Sequence, residues 1–213
     1  MTQISSALLL LVVLTDFLVL GTSRMSTGIR AIGVQGLLLA ALPVFLHPGW
    51  SVHMLGLALG TAAVKAVALP WFLAWAIRGA NVRREMEPLV GYVTTLLIGA
   101  VMVAGSFAVA PMLPLPEPGG TLLVAVALSN LLTGLVVLTS RLKALTQVIG
   151  YLMLENGIYV FGLTQTQRVP FLLELGVLLD VFVGVFIMGI VVFHINREFD
   201  SMSSAHLEEL RES

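Results

Sequence analysis

Cysteine is absent from the 213-residue chain. Thiolate-ligated iron–sulfur clusters, thiolate-held nickel and structural disulfides are therefore excluded. Charge is scarce too: Asp, Glu, Lys and Arg make up 11% of the sequence, against roughly 25% in an ordinary soluble domain. The four histidines, His47, His53, His194 and His206, lie at the ends of apolar runs or in the tail, in no metal-ligand spacing. No glycine-rich phosphate loop follows a strand pattern, and no Ser/His/Asp arrangement presents itself. The basic residues sit in short turns where membrane topology explains them, so nothing points to nucleic acid. No soluble domain can be found, since the terminal SMSSAHLEELRES is too short and polar to be one.

What the chain has instead is hydrophobic runs. Apolar residues reach 58% and fall in stretches of about 20, parted by short polar turns, the pattern of a polytopic helical membrane protein. The expected fold class is all-α, with seven spans at about 3–21, 29–46, 52–78, 88–110, 121–139, 143–164 and 170–195. The first run, Ile4–Leu20, carries Asp16 and is followed by further spans, so it reads as a first helix and not as a cleaved signal. Pro43 and Pro70 should each kink or end the regular part of their helices. Gly91, Gly99 and Gly105 suit the fourth span to close helix packing. Residues 111–120, PMLPLPEPGG, hold four prolines in ten and form a stiff connector. It divides a four-helix part, 1–110, from a three-helix part, 121–197, with a tail at 198–213.

Orientation follows from lysine and arginine. One side receives Arg24, Arg30, Arg78, Arg83, Arg84, Arg141, Lys143, Arg197 and Arg211, whereas the other receives Arg168 alone. The N-terminus is expected outside and the C-terminus in the cytoplasm, in agreement with an odd number of spans. Trp50, Trp71 and Trp75 suit interfacial belts.

A few charges fall inside the spans. An acid near the centre of a span costs about 2.5–3.5 kcal/mol on insertion scales, so something must keep it there. If the last two spans are antiparallel about the 165–169 turn, Glu155 lies 9 residues from Thr164 and Asp180 lies 10 from Pro170. At 1.5 Å per residue both sit about 14 Å deep, near the midplane. Glu155 shares a four-residue stripe with Gln147, Tyr151 and Tyr159, and Asp180 is flanked at the same spacing by Gly176 and Gly184. Lys65 lies halfway along the third span, where snorkelling to the interface reaches poorly. It is read as part of a buried polar network with Thr61 one turn away. Asp16, one turn from the cytoplasmic end of its span, fits an interfacial carboxylate as well as a buried role. Glu174, about 6 Å deep, fits interfacial solvation. Asn130, with Ser129 and Thr133, is a helix-packing polar residue or a bridge to a relay through water. Glu155 and Asp180 are either structural carboxylates or groups whose charge responds to their neighbours and can carry a proton.

The residues of the back part also carry a resemblance. Ile149-Gly150, then Glu155-Asn156, and Asp180-Val-Phe-Val-Gly184 resemble the pattern of subunit K of bacterial NADH–quinone oxidoreductase (complex I) and of the C subunit of multisubunit sodium/proton antiporters. The Glu falls three residues later than in that family, and Asp replaces its second Glu. Over most of the chain, LMLENGIYVFGL and LLELGVLLDVFVGVFIMGIVVFHIN resemble the hydrogenase-4 component E family of formate hydrogenlyase-type, group 4 hydrogenases. The resemblance implies a multi-pass subunit of a bacterial or archaeal cytoplasmic membrane with no catalytic centre or cofactor of its own. Its implied partners are antiporter-like and quinone-chamber-like membrane subunits and a peripheral arm with [NiFe] and Fe–S centres. In such an assembly Lys65, Glu155, Asp180, Glu174, Asp16 and Asn130 are candidates for proton or ion transfer. Two alternatives remain at this stage: an assembly subunit whose acids only hold helices together, and a free-standing transporter, for which no repeat with broken helices is visible.

Overall fold

A computed structural model of the chain describes residues 3–46, 52–79, 89–113, 120–164, 176, 178–186, 188 and 189. Apolar runs without water to bond their backbone become helices, because a helix satisfies its own N–H and C=O groups. The order is α1 (Gln3–Gly21), α2 (Met25–Leu46), α3 (Val52–Thr61), a π-helical segment (Ala62–Ala68), α4 (Leu69–Gly79), α5 (Tyr92–Val109), a 3₁₀ turn (Ala110–Met112), α6 (Gly120–Ser140) and α7 (Ala144–Thr164). Residues 178–186 are helical as well. Among the described residues five stretches are long and apolar enough to cross a membrane: Gln3–Gly21, Met25–Leu46, Ala58–Arg78, Tyr92–Met112 and Gly120–Ser140. α7 is as long as most of them, at 21 residues, but carries Gln147, Glu155 and Asn156.

α2 begins at Met25, one turn earlier than the sequence suggests, and runs through Pro43 to Leu46. Pro43 lies in the helix's last turn, where only one more turn depends on the broken ladder. At 22 residues the helix measures about 33 Å, enough for a hydrocarbon core of about 30 Å. Gly91 lies just before α5 and not within it, with φ at 74°, a left-handed conformation that favours glycine. Gly99 does pack, against the side chain of Leu20 on α1, whereas Gly105 faces open space.

Inside and outside are both apolar. Leu20, Met25, Leu73, Ile149 and Met153 belong to one buried cluster, and Leu9, Leu39, Leu42, Val126 and Val160 to another. Leu10, Leu14 and Leu18 on α1 and Val93, Leu97 and Val101 on α5 form exposed stripes at four-residue spacing, the kind of surface that lipid tails cover. α7 packs against α6 and α2, and α6 also packs against α1 and α5. The α6–α7 contact is close because glycines line it: a Cβ on Gly150 would lie 2.9 Å from the Gly134 carbonyl oxygen, and one on Gly157 would lie 2.7 Å from that of Ala127. Small residues let two backbones approach in this way. The close crossing holds α7, and with it Glu155 and Asn156, at the centre of the bundle.

Candidate functional site

The site starts with a local departure from the α-helix. Pro70 has no N–H, so the carbonyl of Ala66 loses its ordinary partner four residues on. The turns before it, AAVKAVA, widen into a π-helix with Lys65 at its middle. Such segments are rare and often mark functional sites. α2 runs directly over this segment. A Cβ on Gly36 would lie 2.8 Å from the Cβ, carbonyl carbon and carbonyl oxygen of Lys65, and one on Gly33 would lie 3.4 Å from the Ala66 oxygen. Glycine at these positions is what lets α2 press on the widened helix.

From there Lys65 reaches two acids. Its Nζ lies 2.7 Å from Glu155 Oε1 and 2.9 Å from Asp180 Oδ1. All three side chains are buried, with exposures of 3%, 1% and 0%. Tyr159, one turn past Glu155, places its ring 5.7 Å from the ammonium, within cation–π range. Its hydroxyl bonds to Thr61, one turn before Lys65. The second oxygens, Glu155 Oε2 and Asp180 Oδ2, are buried with no hydrogen-bond partner among the described residues.

A second polar cluster lies beside the first. Gln35 Nε2 on α2 donates to Asp16 Oδ1 at 2.8 Å and to Thr15 Oγ1 at 3.0 Å, both on α1. Asn130 on α6 touches both Asp16 and Gln35, and Thr133 also reaches Asp16. Asn156 Nδ2 on α7 donates to Gln35 Oε1 at 2.8 Å. Asp16, Gln35, Asn130 and Asn156 are at most 2% exposed. One α7 residue is turned about 100° from the next. Glu155 therefore serves the lysine cluster while Asn156 serves the Asp16 cluster.

Of the six residues singled out from the sequence, Lys65, Glu155 and Asp180 meet in one cluster and Asp16 and Asn130 in another. Glu174 lies outside the described residues. Asp16 is fully buried, because α2 and α6 cover a depth that alone fits an interfacial carboxylate. Gln35, Asn156 and Tyr159 were not singled out. Their available signal was position: Gln35 is a lone amide in the middle of an apolar span, Asn156 follows Glu155, and Tyr159 continues its stripe. Arg141, read as a topological charge, is 1% exposed. It donates Nη2 to the Leu20 carbonyl at 3.2 Å and lies 5.5 Å from the Tyr92 ring. Among the described residues no group of three or more His, Asp or Glu is placed to hold a metal ion.

Spanning helices around buried charges define a polytopic membrane protein built to keep polar groups away from lipid. The chain is 35% identical over 204 residues to "Uncharacterized protein Rv0085" of Mycobacterium tuberculosis, covering 94% of this chain and 92% of the relative, and it belongs to that protein's family. It is distantly related to hydrogenase-4 component E of Escherichia coli, at 26% identity over 205 residues and 94% of both chains, with the same figures for the Shigella flexneri protein. No family model matches the chain, and no solved structure matches it.

Proposed function

We propose that this chain is a membrane-arm subunit of an energy-converting, group 4 hydrogenase or a related complex-I-like assembly, where its buried charges take part in proton or ion translocation. Redox chemistry takes place in partner subunits holding [NiFe] and Fe–S centres, and this chain is non-catalytic. Antiporter-like and quinone-chamber-like subunits are its neighbours in the cytoplasmic membrane. Seven spans, with the N-terminus outside, complete this reading. Kinship with hydrogenase-4 component E supports a hydrogenase-type complex.

The observation that carries the reading is one ammonium between two buried carboxylates. Fully ionised, the trio holds a net negative charge where uncompensated charge costs several kcal/mol. One proton on either acid balances it. Moving that proton changes which acid pairs with Lys65, so charge arriving on one side biases release on the other. This is the behaviour a coupling element needs.

The test uses the intact complex. Glu155→Gln and Asp180→Asn keep size and most hydrogen bonding while removing the exchangeable proton. Ion pumping should fall at least about tenfold, a barrier change of roughly 1.4 kcal/mol, while hydrogen chemistry with a soluble dye stays near wild type. Assembly is checked first on native gels. If both variants assemble and pump normally, the acids are structural and the chain is an assembly subunit.

A further inference from the structure

A cleft of about 480 Å³ opens between α6, α7 and the 178–186 helix, in the half of the bundle nearest the α6–α7 turn. Its walls include Leu138 of α6, Val148 and Tyr151 of α7, and Phe182 and Phe186 of the third helix. Cavities that bind small molecules commonly measure about 300–1,000 Å³. Gln147 also lines the cleft, but its Nε2 already donates to the Arg141 carbonyl at 3.0 Å. Apart from the Tyr151 hydroxyl, the cleft therefore offers aliphatic and aromatic surface.

That surface faces lipid. Phe182 and Phe186 are 68% and 58% exposed, so the mouth of the cleft continues the lipid-facing exterior. Unfilled space forfeits contacts for every wall atom, and lipid tails are the medium on this side. Depth agrees: Tyr151 lies eight residues beyond Lys143, about 12 Å along the axis and most of one leaflet of a core about 30 Å thick. Lys143, Gln147 and Tyr151 recur every four residues, so a phosphate near Lys143 sets its chain over the other two. Residues 140–147 carry Arg141 and Lys143 and no acid, a charge that suits phosphate. A partner helix, about 10–12 Å across, would seat only about one turn in this volume.

We propose that the cleft binds one acyl chain of a phospholipid whose phosphate lies at the α6–α7 turn, and that the chain braces the helix carrying Asp180. Val183, about one turn past Asp180, lines the cleft and packs in the buried cluster with Leu73 and Met153. Gly184 is turned about 100° from it and faces α4, where an added Cβ would lie 3.9 Å from Leu69. The α4 side of the helix is thus held by protein, and the chain supports the side that faces α6 and α7. Loss of the lipid loosens this helix and with it the 2.9 Å contact between Lys65 and Asp180. The consequence for translocation rests on the function proposed above; occupancy of the cleft does not.

The experiment is native mass spectrometry of the purified full chain, washed until only tightly held lipid remains. The wild type should keep one phospholipid. Leu138→Trp, which puts an indole into the cleft, should keep at least about tenfold less, and so should the double variant Phe182→Ala, Phe186→Ala, which removes exposed walls. Leu97→Trp, on the exposed stripe of α5, should keep as much as wild type. Dioleoyl phosphatidylglycerol added to the stripped wild type should raise its melting temperature saturably, as a ligand of the folded state does. Glycerol phosphate should not, and Leu138→Trp should not respond to either. The proposal is overturned if the wild type keeps no phospholipid, if the retained mass is that of an isoprenoid quinone, or if both cleft variants keep as much lipid as wild type. None of these readouts involves pumping, so failure of the functional reading would be seen separately.

Discussion

Glu155 and Asn156 are consecutive residues of α7 that serve different buried clusters. Glu155 accepts from Lys65 at 2.7 Å, and Asn156 donates to Gln35 at 2.8 Å. α2 repeats the device: Gln35 enters the Asp16 cluster while Gly36 seats the backbone of Lys65. Two adjacent pairs on two packed helices thus tie charges from α1, the π segment, α7 and the 178–186 helix into one polar layer.

The lysine cluster should behave as a single energetic unit. Lys65→Met strands two buried acids and should cost about 3–5 kcal/mol, whereas replacing an entire buried ionic set by groups of similar volume costs far less. The triple variant Lys65→Met, Glu155→Gln, Asp180→Asn should therefore be more stable than Lys65→Met alone. Unfolding titrations in mixed micelles measure this. Additive losses would mean that the three side chains do not share one interaction.

Gly36 is where a single methyl group should matter. Its Cβ would meet three Lys65 atoms at 2.8 Å, two of them main-chain, so Gly36→Ala should destabilise by about 1–3 kcal/mol and lower pumping by displacing Lys65. Gly56 and Gly105 are helical too, but an added Cβ meets nothing within 4 Å. Alanine there should be neutral or stabilising by up to about 1 kcal/mol. Equal effects at all three sites would remove the case for α2 as the seat of Lys65.

Membrane orientation is open to reporter fusions. Joined after Arg84, Lys143 and Ser213, the reporter should indicate the cytoplasm in every case, and near Pro116 the outside. The motive is the gathering of Arg24, Arg30, Arg78, Arg83, Arg84, Arg141, Lys143, Arg197 and Arg211 against a lone Arg168. Two reversed fusions would overturn both the orientation and the count of seven.

Much of the helical architecture was legible because lipid leaves an apolar run few choices. A stretch of about 20 such residues must bond its own backbone, so α1 (Gln3–Gly21), α6 (Gly120–Ser140) and α7 (Ala144–Thr164) fall within a residue or so of the expected spans 3–21, 121–139 and 143–164. The acids were legible for the same reason, since Glu155 and Asp180 stand out against any apolar background. Depth along the helix was readable too, because rise per residue is constant. The turn chemistry was less so: α2 starts before residue 29 because Met25–Gly28 can be helical without being fully apolar.

Partnership lay beyond that reading. Sequence specifies position along an axis, whereas contact depends on rotation about it and on what lies across. By depth Asp16 fitted an interface as well as a buried role, and the cover of α2 and α6 decided for burial. Gln35 is one amide in an apolar run, with no pattern to mark it as a hub. The π segment arises from a local alternative in hydrogen bonding that Pro70 permits and the pressure of α2 at Gly33 and Gly36 favours. Composition and spacing alone placed Lys65, Glu155 and Asp180 inside apolar runs. Only tertiary packing decided that Lys65 holds both acids while Asp16 is held by amides, because buried charge is governed by neighbours within 3 Å and those neighbours come from other helices.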